Sequence, residues 1–198
     1  MTPVRVRVLG GTGVIGPDGP TDLGPRKRRS VLAALALTPG RMVPAGDLAE
    51  LGWGGDPPPG AHGTLHAYIS TLRRALEPDL APRAHPTVLL TTDDGYLLDL
   101  PRHDVDAAHF TDEIRARHRQ LAPLASQLTS GADPSWPSGT EVVDHVEALE
   151  SLLSMWAGVA FADLPDHPDV LAERAALEET RVLAEEDRAL ALRRKMRG

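Results

Sequence analysis

The sequence predicts an α+β fold in its N-terminal half followed by an all-α C-terminal half. Three observations carry that expectation. In AHGTLHAYISTLRRAL, residues 61–76, apolar side chains recur at Leu65, Ile69, Leu72 and Leu76, a spacing that keeps one stripe of a helix against a core. Two β-prone runs, 88–91 and 96–100, flank Asp93-Asp94-Gly95 and read as a hairpin. Beyond residue 102 the pattern turns to long helical segments.

Taken in order, residues 4–9 alternate Val4, Arg5, Val6, Arg7 and Val8, the pattern of a half-exposed strand. Residues 13–16 are a second short strand, and Pro17-Asp18-Gly19-Pro20 is a turn. Residues 26–38 read as the first helix, with Val31, Leu32, Leu35 and Arg28 in register. Its leading turn is Arg26-Lys27-Arg28-Arg29. Cations at a helix N-terminus oppose the macrodipole, at a few tenths of a kcal/mol each, so this cluster calls for a reason beyond helix stability. Phosphate contact is one such reason; a solvated, partly neutralised cluster is the alternative.

Residues 45–51 form a short helix with Leu48 and Leu51 at an i, i+3 spacing. Trp53 precedes the Pro-rich break Asp56-Pro57-Pro58-Pro59-Gly60. The next helix, 61–76, carries Gly63, Ala67, Ser70 and Arg74 opposite its apolar stripe. Thr64, His66, Thr71 and Arg73 flank them, and no acid appears before Glu77. Helix, turn, longer helix and hairpin is the order of a winged helix-turn-helix. A helix apolar behind and basic in front can lie in a DNA major groove, although the same face can simply be solvated.

After a boundary in 101–106, residues 107–124 read as a helix with Phe110, Ile114 and Leu121 inward, and 126–140 as a loop rich in Gly and Pro. Residues 142–156 follow as a helix with an apolar face of Val142, Val146, Leu149, Leu153 and Trp156, ending at a Gly158 stop. A long charged helix covers 170–194, with Leu171, Ala175, Leu183, Leu190 and Leu192 expected to be buried.

Composition narrows the function classes. The chain has 198 residues, 41% of them hydrophobic, enough for one large domain or two small ones. It has no cysteine, which excludes disulfides and cysteine-ligated zinc. No apolar run reaches the roughly 20 residues of a membrane span, and the N-terminus reads as a strand rather than a signal peptide. A soluble cytoplasmic protein is the expectation. Residues 1–102 hold 11 basic and 10 acidic side chains, whereas 103–198 hold 10 and 18. The overall net charge of −7 argues against nonspecific coating of nucleic acid and leaves room for a local basic surface on the first half. The acidic second half fits protein contacts or simple solubility.

Several chemistries are poorly supported. Gly11-Thr12-Gly13-Val14-Ile15-Gly16 matches G-x-G-x-x-G, but Pro17, Gly19 and Pro20 prevent the helix that a dinucleotide fingerprint requires. His62 and His66 have a zinc-helix spacing without the catalytic Glu or a third ligand. No serine sits in a nucleophile motif and there is no P-loop, so no enzyme, metal or cofactor is expected.

Five segments in order carry a family resemblance: Val6-Arg7-Val8-Leu9-Gly10; Gly24-Pro25-Arg26-Lys27-Arg28; Thr64-Leu65 with Tyr68-Ile69-Ser70 and Leu72-Arg73-Arg74-Ala75-Leu76; Gly95-Tyr96-Leu97-Leu98; and Phe161-Ala162-Asp163-Leu164. Together they resemble the SARP family, the Streptomyces antibiotic regulatory proteins of secondary metabolism. The resemblance implies a winged helix-turn-helix of the response-regulator output type at 1–101. A bacterial transcriptional activator domain, helical and tetratricopeptide-like, would follow at 102–198. It also implies a DNA-binding transcriptional activator acting as a homodimer on direct repeats at promoters, in the nucleoid, with RNA polymerase and its sigma factor as partners. The family's activator domain usually continues through further helices, so a short member or a piece of a longer regulator is expected, with an open apolar face available for dimerisation.

On this reading Thr64, Ser70, Thr71 and Arg74 face base edges or nearby phosphates. Arg26, Lys27, Arg28 and Arg73 mainly bind phosphate, and Thr91, Thr92 and Tyr96 set the wing beside the backbone or minor groove. Three departures from the family pattern matter: Thr71 where Arg is usual, Gly63 where Asn is common, and acids at the wing tip, Asp93-Asp94. They predict a weaker or altered sequence preference, about 1 kcal/mol or more for each change. The alternative function is a protein-interaction module of the same fold with weak or lost DNA binding.

Overall fold

Two small antiparallel sheets bracket three helices in the N-terminal part of the chain. The structure, a computed structural model, describes residues 4–81, 83–130 and 139–195. Strands β1 (Arg5–Arg7), β2 (Gly13–Gly16) and β3 (Gly19–Thr21) form the first sheet in that order. Helix α1 (Arg26–Ala36), strand β4 (Met42–Pro44), and helices α2 (Ala45–Trp53) and α3 (Ala61–Leu76) follow. Strands β5 (Leu89–Thr91) and β6 (Gly95–Leu98) make the hairpin, and β4 joins it in the order β4-β6-β5. Helices α4 (Asp106–Ser130), α5 (Gly139–Leu153) and α6 (Pro168–Lys195) complete the described chain.

The apolar stripe of α3 does what its spacing requires. Leu65, Ile69, Leu72 and Leu76 are all buried, as are Val31, Leu32 and Leu35 of α1 and Leu48 and Leu51 of α2. Each such side chain contributes about 1.5–3 kcal/mol by leaving water. Helix α2 stops at Gly54, whose φ of 80° is left-handed and whose N–H donates to the Glu50 carbonyl at 2.8 Å. A side chain there would also lie 2.9 Å from Cβ of Pro165, so glycine is required twice over.

Compactness divides the chain into two units. One is Met1–His109 with Ala157–Arg174, and the other is Phe110–Trp156 with Ala175–Gly198, each as far as it is described. Segment 157–174 is thus part of the same unit as the winged helix. Ala157 N–H donates to the Leu9 carbonyl at 2.8 Å, Phe161 N–H to that of Val8 at 2.6 Å, and Ala162 N–H to that of Gly10 at 3.1 Å. Arg174 fastens the segment internally, donating to the carbonyls of Ala160, Phe161 and Leu164 at 3.0 Å each. Asp106 ties the start of α4 to β1, its carboxylate accepting from Val8 N–H at 2.7 Å and Leu9 N–H at 3.1 Å. Burial pushes this carboxyl up, with those N–H groups and Arg7 opposing.

In the second unit Phe110 packs edge-on against Trp156 at 5.5 Å, and Arg181 lies over the Trp156 ring, 5.0 Å from its centroid. Val142, Val146 and Ala191 form a buried cluster. The buried Asp187 carboxylate meets His118 Nδ1 at 3.1 Å.

The structure corrects several expected elements. β3 and β4 were not expected; three residues are too few to show a period, and Pro20 and Pro44 argue against strands except at edges and ends. Residues 126–130 and 139–140, expected in a loop, are helical, and only 131–138 of that loop lie outside the described residues. Helix α5 ends at Leu153, before the expected Gly158 stop, and it buries Leu152 where Leu153 was expected. In α6, Leu171 is 50% exposed and Ala175 is exposed, while Val170, Leu177, Ala184 and Ala191 are buried at intervals of seven. The expected Leu183, Leu190 and Leu192 are half-buried, with Leu192 against the Val142, Val146 and Ala191 cluster, because Ala184, Ala191, Thr180 and Asp187 take the innermost positions.

Candidate nucleic-acid interface

The outer face of α3 is built by default, as what remains after its stripe is buried. His62, Gly63, Thr64, His66, Ala67, Ser70 and Arg74 are exposed, and Thr71 and Arg73 are half-buried. The first turn holds no acid and the last holds Arg73 and Arg74, so the helix dipole and its charges agree at the C-terminal end. Thr64 and Thr71 hydroxyls donate back to the carbonyls of Gly60 at 3.4 Å and Ala67 at 3.1 Å. Each hydroxyl oxygen keeps acceptor capacity for an outside donor.

The wing is fastened to α3 by side chains. Arg73 Nε donates to the Leu89 carbonyl at 2.8 Å, and its terminal nitrogen donates to Thr91 Oγ1 at 2.6 Å. Tyr96, buried in β6, has its hydroxyl 2.8 Å from His66 Nδ1. Burial pushes the Tyr96 hydroxyl up, and the neighbouring Arg73 charge pulls it partly back. At the turn, Thr92 Oγ1 accepts from Gly95 N–H at 3.1 Å, while Asp93 and Asp94 are exposed. Gly95 has no room for a side chain: a Cβ would collide with the Val43 carbonyl oxygen and lie 2.8 Å from Cα of Pro44.

The basic turn of α1 is equally engaged. Arg26 donates to the Ala162 carbonyl at 3.1 Å. Lys27 donates to that of Gly52 at 3.3 Å and lies 5.5 Å from the Trp53 ring. Arg28 donates to the Leu23 carbonyl at 3.1 Å and lies 5.8 Å from the Tyr68 ring. Trp53 and Tyr68 stack at 6.3 Å, so cations and aromatics from α1, α2 and α3 form one ladder. Arg29 pairs with Asp163 at 2.9 Å. These internal partners take up part of the donor capacity of the cluster, while Arg26 and Lys27 stay exposed.

The eleven expected site residues therefore fall into three groups. Thr64, Ser70, Thr71 and Arg74 share the outer side of α3. Arg73, Thr91 and Tyr96 belong to the joint between α3 and the wing, with the buried Tyr96 facing α3, and Thr92 lies at the wing turn against Gly95. Arg26, Lys27 and Arg28 lie at the start of α1, with Arg26 and Lys27 exposed. Sequence reasoning missed the pairing of His66 with Tyr96 because 30 residues separate them.

Two family matches cover parts of the chain. Residues 20–98 match the transcriptional regulatory protein C-terminal family, and 137–197 match the bacterial transcriptional activator domain. The transcriptional regulator RedD of Streptomyces coelicolor is 28% identical over 93% of this chain and 48% of its own length. The regulatory protein DnrI of Streptomyces peucetius is 32% identical over 79% of this chain and 53% of its own. A solved chain of Mycobacterium tuberculosis EmbR, in complex with a low-affinity phosphopeptide, has a TM-score of 0.76 at 28% identity, covering 96% of this chain and 46% of that one. The chain thus spans about half the length of these relatives. With a winged-helix match at 20–98, an activator-domain match at 137–197 and relatives of this kind, the chain combines the two domains of SARP-type transcriptional regulators.

Proposed function

We propose that this chain binds double-stranded DNA sequence-specifically and activates transcription, without catalysis, as a cytoplasmic protein at the nucleoid. The observation that carries the reading is the outer face of α3. It is exposed and acid-free, and it is backed by a fully buried stripe that fixes its orientation. Ser70, Thr64, Thr71 and Arg74 meet base edges and adjacent phosphates in the major groove. Arg26, Lys27 and Arg28 keep charge near the groove edge while holding their internal partners, and Thr91 and Thr92 carry the wing toward the backbone.

Modules at 1–101 and 102–198 remain the proposed division along the sequence. Binding as a homodimer on direct repeats, with contacts to RNA polymerase and sigma factor, is part of the same proposal, and the family resemblance supports it. The test is selection of bound fragments from random genomic DNA, followed by guanine N7 methylation protection. Protected guanines in the major groove of a recurring sequence support the reading, and recovery of unselected DNA contradicts it. The exposed Asp93 and Asp94 favour the second reading, an interaction module whose wing repels phosphate.

A further inference from the structure

His66 was not among the expected contact residues, and one of its ring nitrogens is engaged by the wing. It is exposed on α3, yet its Nδ1 is held 2.8 Å from the buried Tyr96 hydroxyl. Were Nδ1 the donor, the Tyr96 hydrogen would need an acceptor other than His66. Among the described residues the Tyr96 hydroxyl has His66 as its partner, and the nearby charged group is the Arg73 guanidinium, which offers only hydrogens. A hydroxyl that donates to Nδ1 leaves the hydrogen of a neutral ring on Nε2, the nitrogen turned away from Tyr96.

Position on the helix decides what that donor meets. His66 and Arg73 are seven residues apart, on one edge of α3, and both are tied to the wing by Tyr96 and by Leu89 and Thr91. Ser70 and Arg74 lie on the adjacent outer ridge with Gly63 and Ala67. With that ridge facing base edges, the edge shared with the wing faces the strand bounding the groove. We propose that Tyr96 holds His66 in its Nε2–H form and that this hydrogen is a neutral donor to a phosphate oxygen of bound DNA. This rests on the DNA-binding reading and adds a contact and a positioning residue to it.

The test is fluorescence anisotropy on the selected operator and on unrelated DNA, titrated with salt. It compares wild type, His66→Ala, His66→Gln, Tyr96→Phe and Arg74→Ala. His66→Ala should weaken binding about fivefold on both DNAs without changing the salt slope, because a neutral donor releases no counterion. His66→Gln, which restores an outward N–H, should recover most of the loss, and Tyr96→Phe should lose about twofold to threefold. Arg74→Ala should lower the slope by about one. Unchanged affinity in His66→Ala beside an impaired Arg74→Ala overturns this inference alone. So does a loss confined to one base position, or a slope lowered by about one. Weak, unselective binding by wild type and Arg74→Ala alike overturns the DNA-binding reading and this inference with it.

Discussion

Arg29 in α1 and Asp163 meet at 2.9 Å across 134 residues of sequence. The same carboxylate accepts a second Arg29 hydrogen bond at 3.1 Å and the Thr12 N–H at 2.7 Å, and the Asp163 carbonyl accepts from Ser30 Oγ at 2.6 Å. A segment that the sequence order places far beyond the winged helix is thereby part of the winged-helix unit.

Asp163→Asn should destabilise that unit by about 2 kcal/mol, since it removes the charge from a nearly buried carboxylate that a half-buried Arg29 holds with two hydrogen bonds. Burial raises the Asp163 carboxyl, but the hydrogen bonds and charge of Arg29 and the Thr12 N–H outweigh it and hold it below the ordinary range. The unfolded chain then binds the proton first on acidification. The stabilisation is fully present above the unfolded aspartate range and is lost as pH falls through the lower folded value. Urea unfolding of both proteins at neutral and acidic pH should show the gap shrinking only at the acidic end. A pH-independent gap contradicts the assignment.

Arg73→Lys should loosen the wing, because a single ammonium cannot reproduce two directed donors toward Leu89 and Thr91. Faster amide hydrogen exchange in β5 and β6, with about a fivefold loss of operator affinity, is expected. Thr91→Val should give a smaller loss of the same kind. Protection equal to wild type in Arg73→Lys would show that the wing needs no such brace.

Gly95→Ala should be disproportionately costly for one methyl group. The added carbon meets the backbone of Val43 and Pro44, which cannot rotate away like a side chain. A loss of about 1–3 kcal/mol is expected in thermal or urea unfolding, and a neutral outcome contradicts the close approach of β4 and β6.

Replacing Asp93 and Asp94 by Asn should tighten operator binding severalfold and steepen its salt dependence. Both side chains are exposed at the wing turn, where carboxylates beside phosphate repel. Equal affinity and slope would place the wing away from the backbone.

Much of this arrangement is legible in the residues because period and punctuation are local. The stripe Leu65, Ile69, Leu72, Leu76 marks α3, the break 56–60 sets its start, and Asp93-Asp94-Gly95 marks the hairpin. Burial in α6 was misjudged because size is a poor guide where Ala184 and Ala191 face inward and Leu171 faces out. The joint between α3 and the wing was illegible for a different reason. A side chain such as Arg73 reads as a free cation until its neighbours in space are known, and those neighbours, Leu89 and Thr91, lie 16 and 18 residues away.

The central claim is that the outer face of α3 reads DNA, and Arg74 with Ser70 tests it most directly. Anisotropy on a selected operator, titrated from about 50 to 200 mM salt, should show wild-type affinity falling by orders of magnitude. Arg74→Ala/Ser70→Ala should lose both the preference for that operator and about one unit of salt slope. Identical preference and slope in the double variant would contradict the account and assign this face to a protein partner.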